Sequence, residues 1–126
     1  MYAQLIDQAE KSLRSLYNQD NIAGELKHKL ADLMASGEAN ADAACRTLKL
    51  SRRTLQRRLK AEKTSFQKVL QEVREVLAVS YLSDKRLQSL EIAMLLGYSN
   101  LSTFTTAFKS WYDIPPAEYR QKMLGV

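Results

Sequence analysis

Apolar residues recur every three or four positions along most of the chain, the period of helices that lie half in a core. Ile6, Ala9, Leu13, Leu16 and Tyr17 share one face of a helix over 3–17, and the polar run Asn18-Gln19-Asp20-Asn21 interrupts it. A second helix runs from Ile22 through Leu26, Leu30, Leu33 and Met34, with Gly37 as its stop signal. Asn40 caps a short helix over 41–48, and Ser51 caps another, because each side-chain oxygen can accept from the free N–H groups of a first turn. Ser65 opens the longest stripe, with Phe66, Val69, Leu70, Val73, Leu77 and Tyr81 on one face and an end near Ser83-Asp84. Its roughly 18 residues would span about 27 Å. Ser89 is the expected cap of a short helix carrying Ile92, Ala93 and Leu96, stopped by Gly97. Asn100 caps the next, built on Phe104, Phe108 and Trp111, and Pro115-Pro116 closes it and opens a last turn with Tyr119.

Within this order the chain repeats itself. Cys45-x-x-Leu48-Lys49-Leu50-Ser51, then Leu55 and Leu59, parallels Ala93-x-x-Leu96-Gly97-Tyr98-Ser99, then Phe104 and Phe108. Each copy is a short helix, a turn of three or four residues and a second helix with apolar residues four apart. A small residue in the first helix lets the second cross it closely, which is the helix-turn-helix arrangement. The expected fold is therefore all-α: two helix-turn-helix units joined by a long central helix, with extra N-terminal helices. The divisions are 1–20 (a linker or pairing helix), 21–63 (first unit), 64–83 (connecting helix) and 84–126 (second unit).

Charge changes this picture at one place. The net charge is +5 over 126 residues, from 19 Lys and Arg against 14 acids. Six of the cations, Arg52, Arg53, Arg57, Arg58, Lys60 and Lys63, crowd into 51–63 with the single acid Glu62, and the flanking segments nearly balance. With Leu55 and Leu59 turned inward, the opposite face of that helix centres on Arg57 and is built to meet a polyanion. Arg53, Gln56 and Arg57 are the candidates for base edges, because Arg can pair bidentately with guanine and Gln with adenine. Ser51, Arg52 and Lys60 are placed for phosphates, together with the free N–H groups of the helix start. The second unit is chemically poorer. Its outward positions are Leu101, Ser102, Thr103, Thr106 and Lys109. Ser102, Thr103 and Thr106 are its candidates for bases and Lys109 for phosphate, with a smaller share of the discrimination. Successive major-groove faces lie about 34 Å apart, so a strut of about 27 Å plus the offset of each unit could seat both second helices on one side of a duplex.

Other residues read more plainly. Cys45 alone allows no internal disulfide and fits as a small packed residue in a reducing compartment. His28 sits in a Lys-His-Lys run without the partners a metal site needs. Arg74 is expected to form an ion pair with Glu72. No nucleophile–base pair, phosphate loop or carboxylate dyad occurs, so the expectation is no enzyme, no metal and no cofactor. No apolar run reaches the roughly 18 residues of a membrane span, and a cytoplasmic protein is expected.

Ser51-Arg-Arg-Thr-Leu-Gln-Arg-Arg-Leu59, Val73-Arg74 with Ala78 and Tyr81-Leu82, and Glu91-Ile-Ala93 with Leu96-Gly97-Tyr98-Ser99 form one pattern with Phe104-x-x-Ala-Phe-Lys-x-Trp111 and Pro116-x-x-Tyr119-Arg120. The pattern covers about residues 38–122 and resembles the DNA-binding domain of the AraC/XylS family of bacterial transcription regulators. The resemblance implies binding of double-stranded DNA in successive major grooves and activation of transcription through contact with RNA polymerase. It also implies a separate N-terminal effector or dimerisation domain, so a C-terminal piece of a longer regulator is favoured over a small stand-alone one. The chain departs from the family pattern at four positions. Cys45 stands where Ala is usual, Lys49 and Asp113 where Gly is usual, and Thr106 where Arg is frequent. The rival expectation is an adaptor module whose basic helix docks on an acidic protein.

Overall fold

In the computed structural model the described residues are 21–125, so the helix expected over 3–17 lies outside them. The elements are α1 (Ile22–Ala35), α2 (Ala41–Leu48), α3 (Arg52–Ala61), α4 (Phe66–Leu82), α5 (Ser89–Leu95), α6 (Leu101–Tyr112) and α7 (Pro116–Tyr119). The last runs on as a π-helical turn over Arg120–Leu124. No strand occurs among the described residues.

Polar side chains start most of these helices. Asn21 accepts from the Gly24 N–H at 2.7 Å, Asn40 from Ala43 at 2.8 Å and Ser51 from Thr54 at 3.1 Å. Ser65 accepts from Lys68 at 3.3 Å and Asn100 from Thr103 at 2.8 Å. The expectation for Ser89 is corrected: it is the first helical residue, and Gln88 occupies the cap position. The Glu91 carboxylate reaches back to the Gln88 N–H at 3.1 Å, and this reciprocal box moves the start one residue earlier than a serine cap would.

One contiguous apolar cluster runs through both units. From α4 it takes Val69, Leu70, Val73, Leu77 and Tyr81 of the expected stripe, with Ala78 and Leu82 in addition, while Phe66 is only partly buried. Helix α1 contributes Ile22, Leu26, Leu30, Ala31 and Met34 and packs on α2, α3, α4 and α5, bridging the two units. Each such side chain stabilises the fold by about 1.5–3 kcal/mol when fully buried. In the second unit Phe108 is the hub, with ring centroids of Phe104, Trp111, Tyr112 and Tyr119 at 5.9, 6.1, 4.8 and 5.3 Å. Pro116 starts α7 so that Tyr119 can reach this cluster.

The internal repeat is exact in its hydrogen bonds. After α2 the Leu50 N–H reaches back to the Cys45 carbonyl at 3.0 Å, and after α5 the Tyr98 N–H reaches the Ala93 carbonyl at 3.0 Å. Both turns need a left-handed residue at the same place, which is Gly97 (φ 88°) in the second unit but Lys49 (φ 58°) in the first. Asp113, the other position where the family favours Gly, also has positive φ, at 68°. A Cβ in this region crowds the following carbonyl, so each departure from Gly carries strain. Lys49→Gly is accordingly expected to raise stability by about 1 kcal/mol, read as a higher urea midpoint at unchanged slope.

Candidate nucleic-acid interface

The basic stretch folds as one amphipathic helix because Leu55 and Leu59, four residues apart, both enter the core. That anchoring forces Arg53, Gln56, Arg57, Arg58 and Lys60 outward, and all five are exposed. Among the described residues none of these four cations has an ion-pair partner. Arg52 is also exposed, with Asp42 at 3.6 Å, so part of its charge is already countered. The Ser51 hydroxyl is committed twice: it accepts from the Thr54 N–H and donates to Thr54 Oγ1 at 2.9 Å.

Glu62, the one acid of the stretch, is exposed like the cations but is engaged elsewhere. Its two carboxylate oxygens accept from the Ile22 N–H at 2.9 Å and the Ala23 N–H at 3.1 Å, at the start of α1. Those N–H groups have no partner inside α1, and the carboxylate sits at the positive end of that helix. The acid is therefore used as a clasp between the end of α3 and the start of α1 rather than as a partner for the cations of α3. Sequence reading missed this role, since the partner lies 40 residues away.

In α6, Phe104 and Phe108 point into the core, leaving Leu101, Ser102, Thr103, Thr106 and Lys109 exposed. The Thr103 hydroxyl donates to the Asn100 cap at 2.9 Å, which leaves its methyl group and its acceptor lone pairs for other contacts. Each second helix flanks a cleft against α4, and the two clefts share Gln67. An open groove of about 620 Å³ separates Gln56 and Lys60 of α3 from the first turns of α4, including Gln67. A polar cleft of about 330 Å³ separates Ala107 and Ser110 of α6 from α4, again including Gln67 with Lys68 and Gln71. The polar run at the start of α4 was the available signal for these linings, and the sequence reading passed over it.

Elsewhere the expected ion pair between Arg74 and Glu72 does not form. Residues two apart on a helix point in different directions. Glu72 instead meets Lys27 of α1 at 2.9 Å, and Arg74 turns to the second unit. Cys45 is buried against the first unit's core. Among the described residues no group of three or more His, Cys, Asp or Glu could hold a metal ion, and no helix is long and apolar enough to cross a membrane.

Two helix-turn-helix units on a shared helix, one with an exposed and strongly cationic second helix, define a DNA-binding module of the transcription-regulator class. A family described as "Helix-turn-helix domain" matches residues 44–122, and the chain belongs to it, as a member of the AraC/XylS type. The ornithine utilization regulator of Pseudomonas aeruginosa is 36% identical over 115 residues, 90% of this chain and 33% of that protein. The HTH-type transcriptional regulator VirS of Mycobacterium tuberculosis is 35% identical over 88 residues, 70% of this chain and 26% of that protein. Among solved structures, the transcriptional regulator CdpR from Pseudomonas aeruginosa superposes with a TM-score of 0.72 at 34% identity, over 82% of this chain and 32% of that one. A DNA-binding transcriptional dual regulator from Escherichia coli K-12 gives 0.74 at 24% identity, over 82% of this chain and 99% of that one, a likeness of fold. The chain thus spans about a third of the length of the Pseudomonas regulator it matches.

The clasp at Glu62 yields a direct test. Glu62→Ala adds net positive charge near α3 yet is expected to lower stability by about 1 kcal/mol, as loss of a helix cap does, in a thermal or urea melt.

Proposed function

We propose that this chain is the sequence-specific DNA-binding part of a bacterial transcription activator, reading a duplex with α3 and α6 in successive major grooves. The observation that carries this reading is the sorting of charge around α3: its cations are exposed, while Glu62, the acid that follows it, is engaged by the backbone at the start of α1. Arg53, Gln56 and Arg57 are assigned to base edges. Arg52 and Lys60 are assigned to phosphates, and Ser51 to phosphate through the backbone N–H groups of the helix start, its hydroxyl being held in the cap. In α6, Ser102, Thr103 and Thr106 take the base-facing role and Lys109 the phosphate role, with Thr methyl groups suited to thymine methyls. The clefts beside both helices meet at Gln67 of α4, which supports a single duplex contacted on one side. A division into a first unit over 21–63, a connecting helix over 64–83 and a second unit over 84–126 belongs to the same reading. So do a preceding effector domain, contact with RNA polymerase and action in the cytoplasm, each drawn from the family.

Selection of bound duplexes from a random pool supplies the site for testing. Affinity for it should fall steeply with salt, each neutralised phosphate adding about 0.9 to the log–log slope. Lys60→Ala should reduce that slope by about 1 and weaken all sequences alike. Arg53→Ala or Gln56→Ala should cost about 1–3 kcal/mol and relax preference at single base pairs. Equal weakening of every sequence by both substitutions would remove their base-reading assignment. Absence of any mobility shift with random duplexes at low salt and micromolar protein would favour the adaptor reading instead.

A further inference from the structure

The connecting helix and the second unit hold each other through two guanidinium groups. Arg74, in the middle of α4, donates from Nε to the Leu96 carbonyl at 3.0 Å. Its guanidinium carbon lies 4.6 Å from the centroid of Tyr98, the residue on the far side of the turn. Between them Gly97 brings its backbone so close that a Cβ there would stand 3.4 Å from Arg74 Nη2. Leu96 is the cap residue at the end of α5, where carbonyls are left unpaired and the helix dipole favours a cation. One side chain therefore seals the end of α5 and pins the turn that sets the direction of α6.

Arg120 makes the reciprocal contact. From the turn after α7 it donates Nε to the Leu82 carbonyl at 2.9 Å and Nη2 to the Asp84 carbonyl at 3.3 Å. The Leu82 carbonyl is one that α4 leaves unpaired at its end, and the Asp84 carbonyl, which also accepts from the Leu87 N–H, lies in the loop that follows. The loop they belong to is itself braced, since Arg86 bonds the Asp84 carboxylate through Nε at 2.9 Å and Nη2 at 2.7 Å. The two attachments, at residues 74 and 82 of α4, lie eight residues or about 12 Å apart along the helix. A body held at one point can swivel on its support. Two points separated along the axis fix its direction, and hence the angle of α6 relative to α3.

From these contacts we infer that Arg74 and Arg120 are positioning residues that set the number of base pairs the protein accepts between the two half-sites of its operator. The inference rests on the reading that α3 and α6 engage one duplex. Neither guanidinium is asked to touch DNA: each acts through the orientation of α6.

The test uses the full chain and three duplexes taken from a selected site: the native spacing, the spacing changed by one base pair, and the half-site of the first unit alone. Wild type should prefer the native spacing. Arg74→Met should lose about tenfold on the native spacing, the worth of a charged hydrogen bond, and lose little on the altered spacing, so that the preference narrows by a similar factor. Half-site affinity should stay at the wild-type value. Arg74→Lys keeps the charge but lacks the planar fork, and should narrow the preference too, which keeps the test open if Arg74→Met does not fold. Arg120→Lys should act in the same direction. Variants that discriminate spacing as sharply as wild type overturn the inference alone. So does a parallel loss on all three duplexes, which marks general destabilisation. A wild-type protein indifferent to spacing overturns the single-duplex reading and this inference with it.

Discussion

Helix α4 carries two obligations at once, and the rest of the architecture follows from meeting both. Its buried stripe, Val69 through Leu82, contributes to a cluster that contains Leu55 and Leu59 of the first unit and Ile92, Phe104 and Phe108 of the second. Neither unit has an apolar face it can close without that shared helix. Helices of this length are marginal alone in water, so burial of the stripe is what makes α4 a rigid strut. Helix α1 strengthens the same constraint by packing on α4 while touching elements on both sides of it. Once those residues are inside, the outward direction of α3 and α6 is no longer free.

The cations of the chain divide by what their helix position lets them reach. Apart from Arg52, which meets Asp42, those on α3 lie opposite two leucines and face solvent or a ligand. Arg74 and Arg120 instead lie within reach of helix ends and are consumed there, each on carbonyls that the helix leaves unpaired. Arg86 is taken up by Asp84, and this fork of hydrogen bonds holds the Asp84 carboxyl down at about 2. Lys27 pairs with Glu72 between α1 and α4. The net positive charge therefore understates how local the cationic face is. The acid beside that face is withdrawn into a helix cap, which sharpens the field a polyanion would meet.

Much of the fold was legible in the residues because local rules govern it. Asn40, Ser51, Ser65 and Asn100 cap the helices they precede, since the oxygen and the N–H it needs are three residues apart. The two-fold repeat was visible in the equal spacing of Cys45 and Leu50 against Ala93 and Tyr98, with Phe104 one residue further on than Leu55. The turns then turned out to share one hydrogen-bond pattern. Departures from the family pattern at Lys49 and Asp113 marked two of the three places among the described residues where a side chain is carried at positive φ, and Lys63 is the third. Ser89 misled because a serine is a good cap, and only the reach of Glu91 decides between adjacent starts.

What the sequence determined by itself was everything set within a turn or two of helix: where helices begin and stop, which face is apolar, and where positive charge collects. Tertiary structure alone decided the fate of charged side chains whose partners are remote. Glu62 reaches a backbone 40 positions away, Arg74 one 22 positions away and Arg120 one 38 positions away. A periodic pattern specifies which way a side chain points from its own axis. It does not specify which helix end will be standing there, because that depends on how the buried stripes of several helices pack into one core.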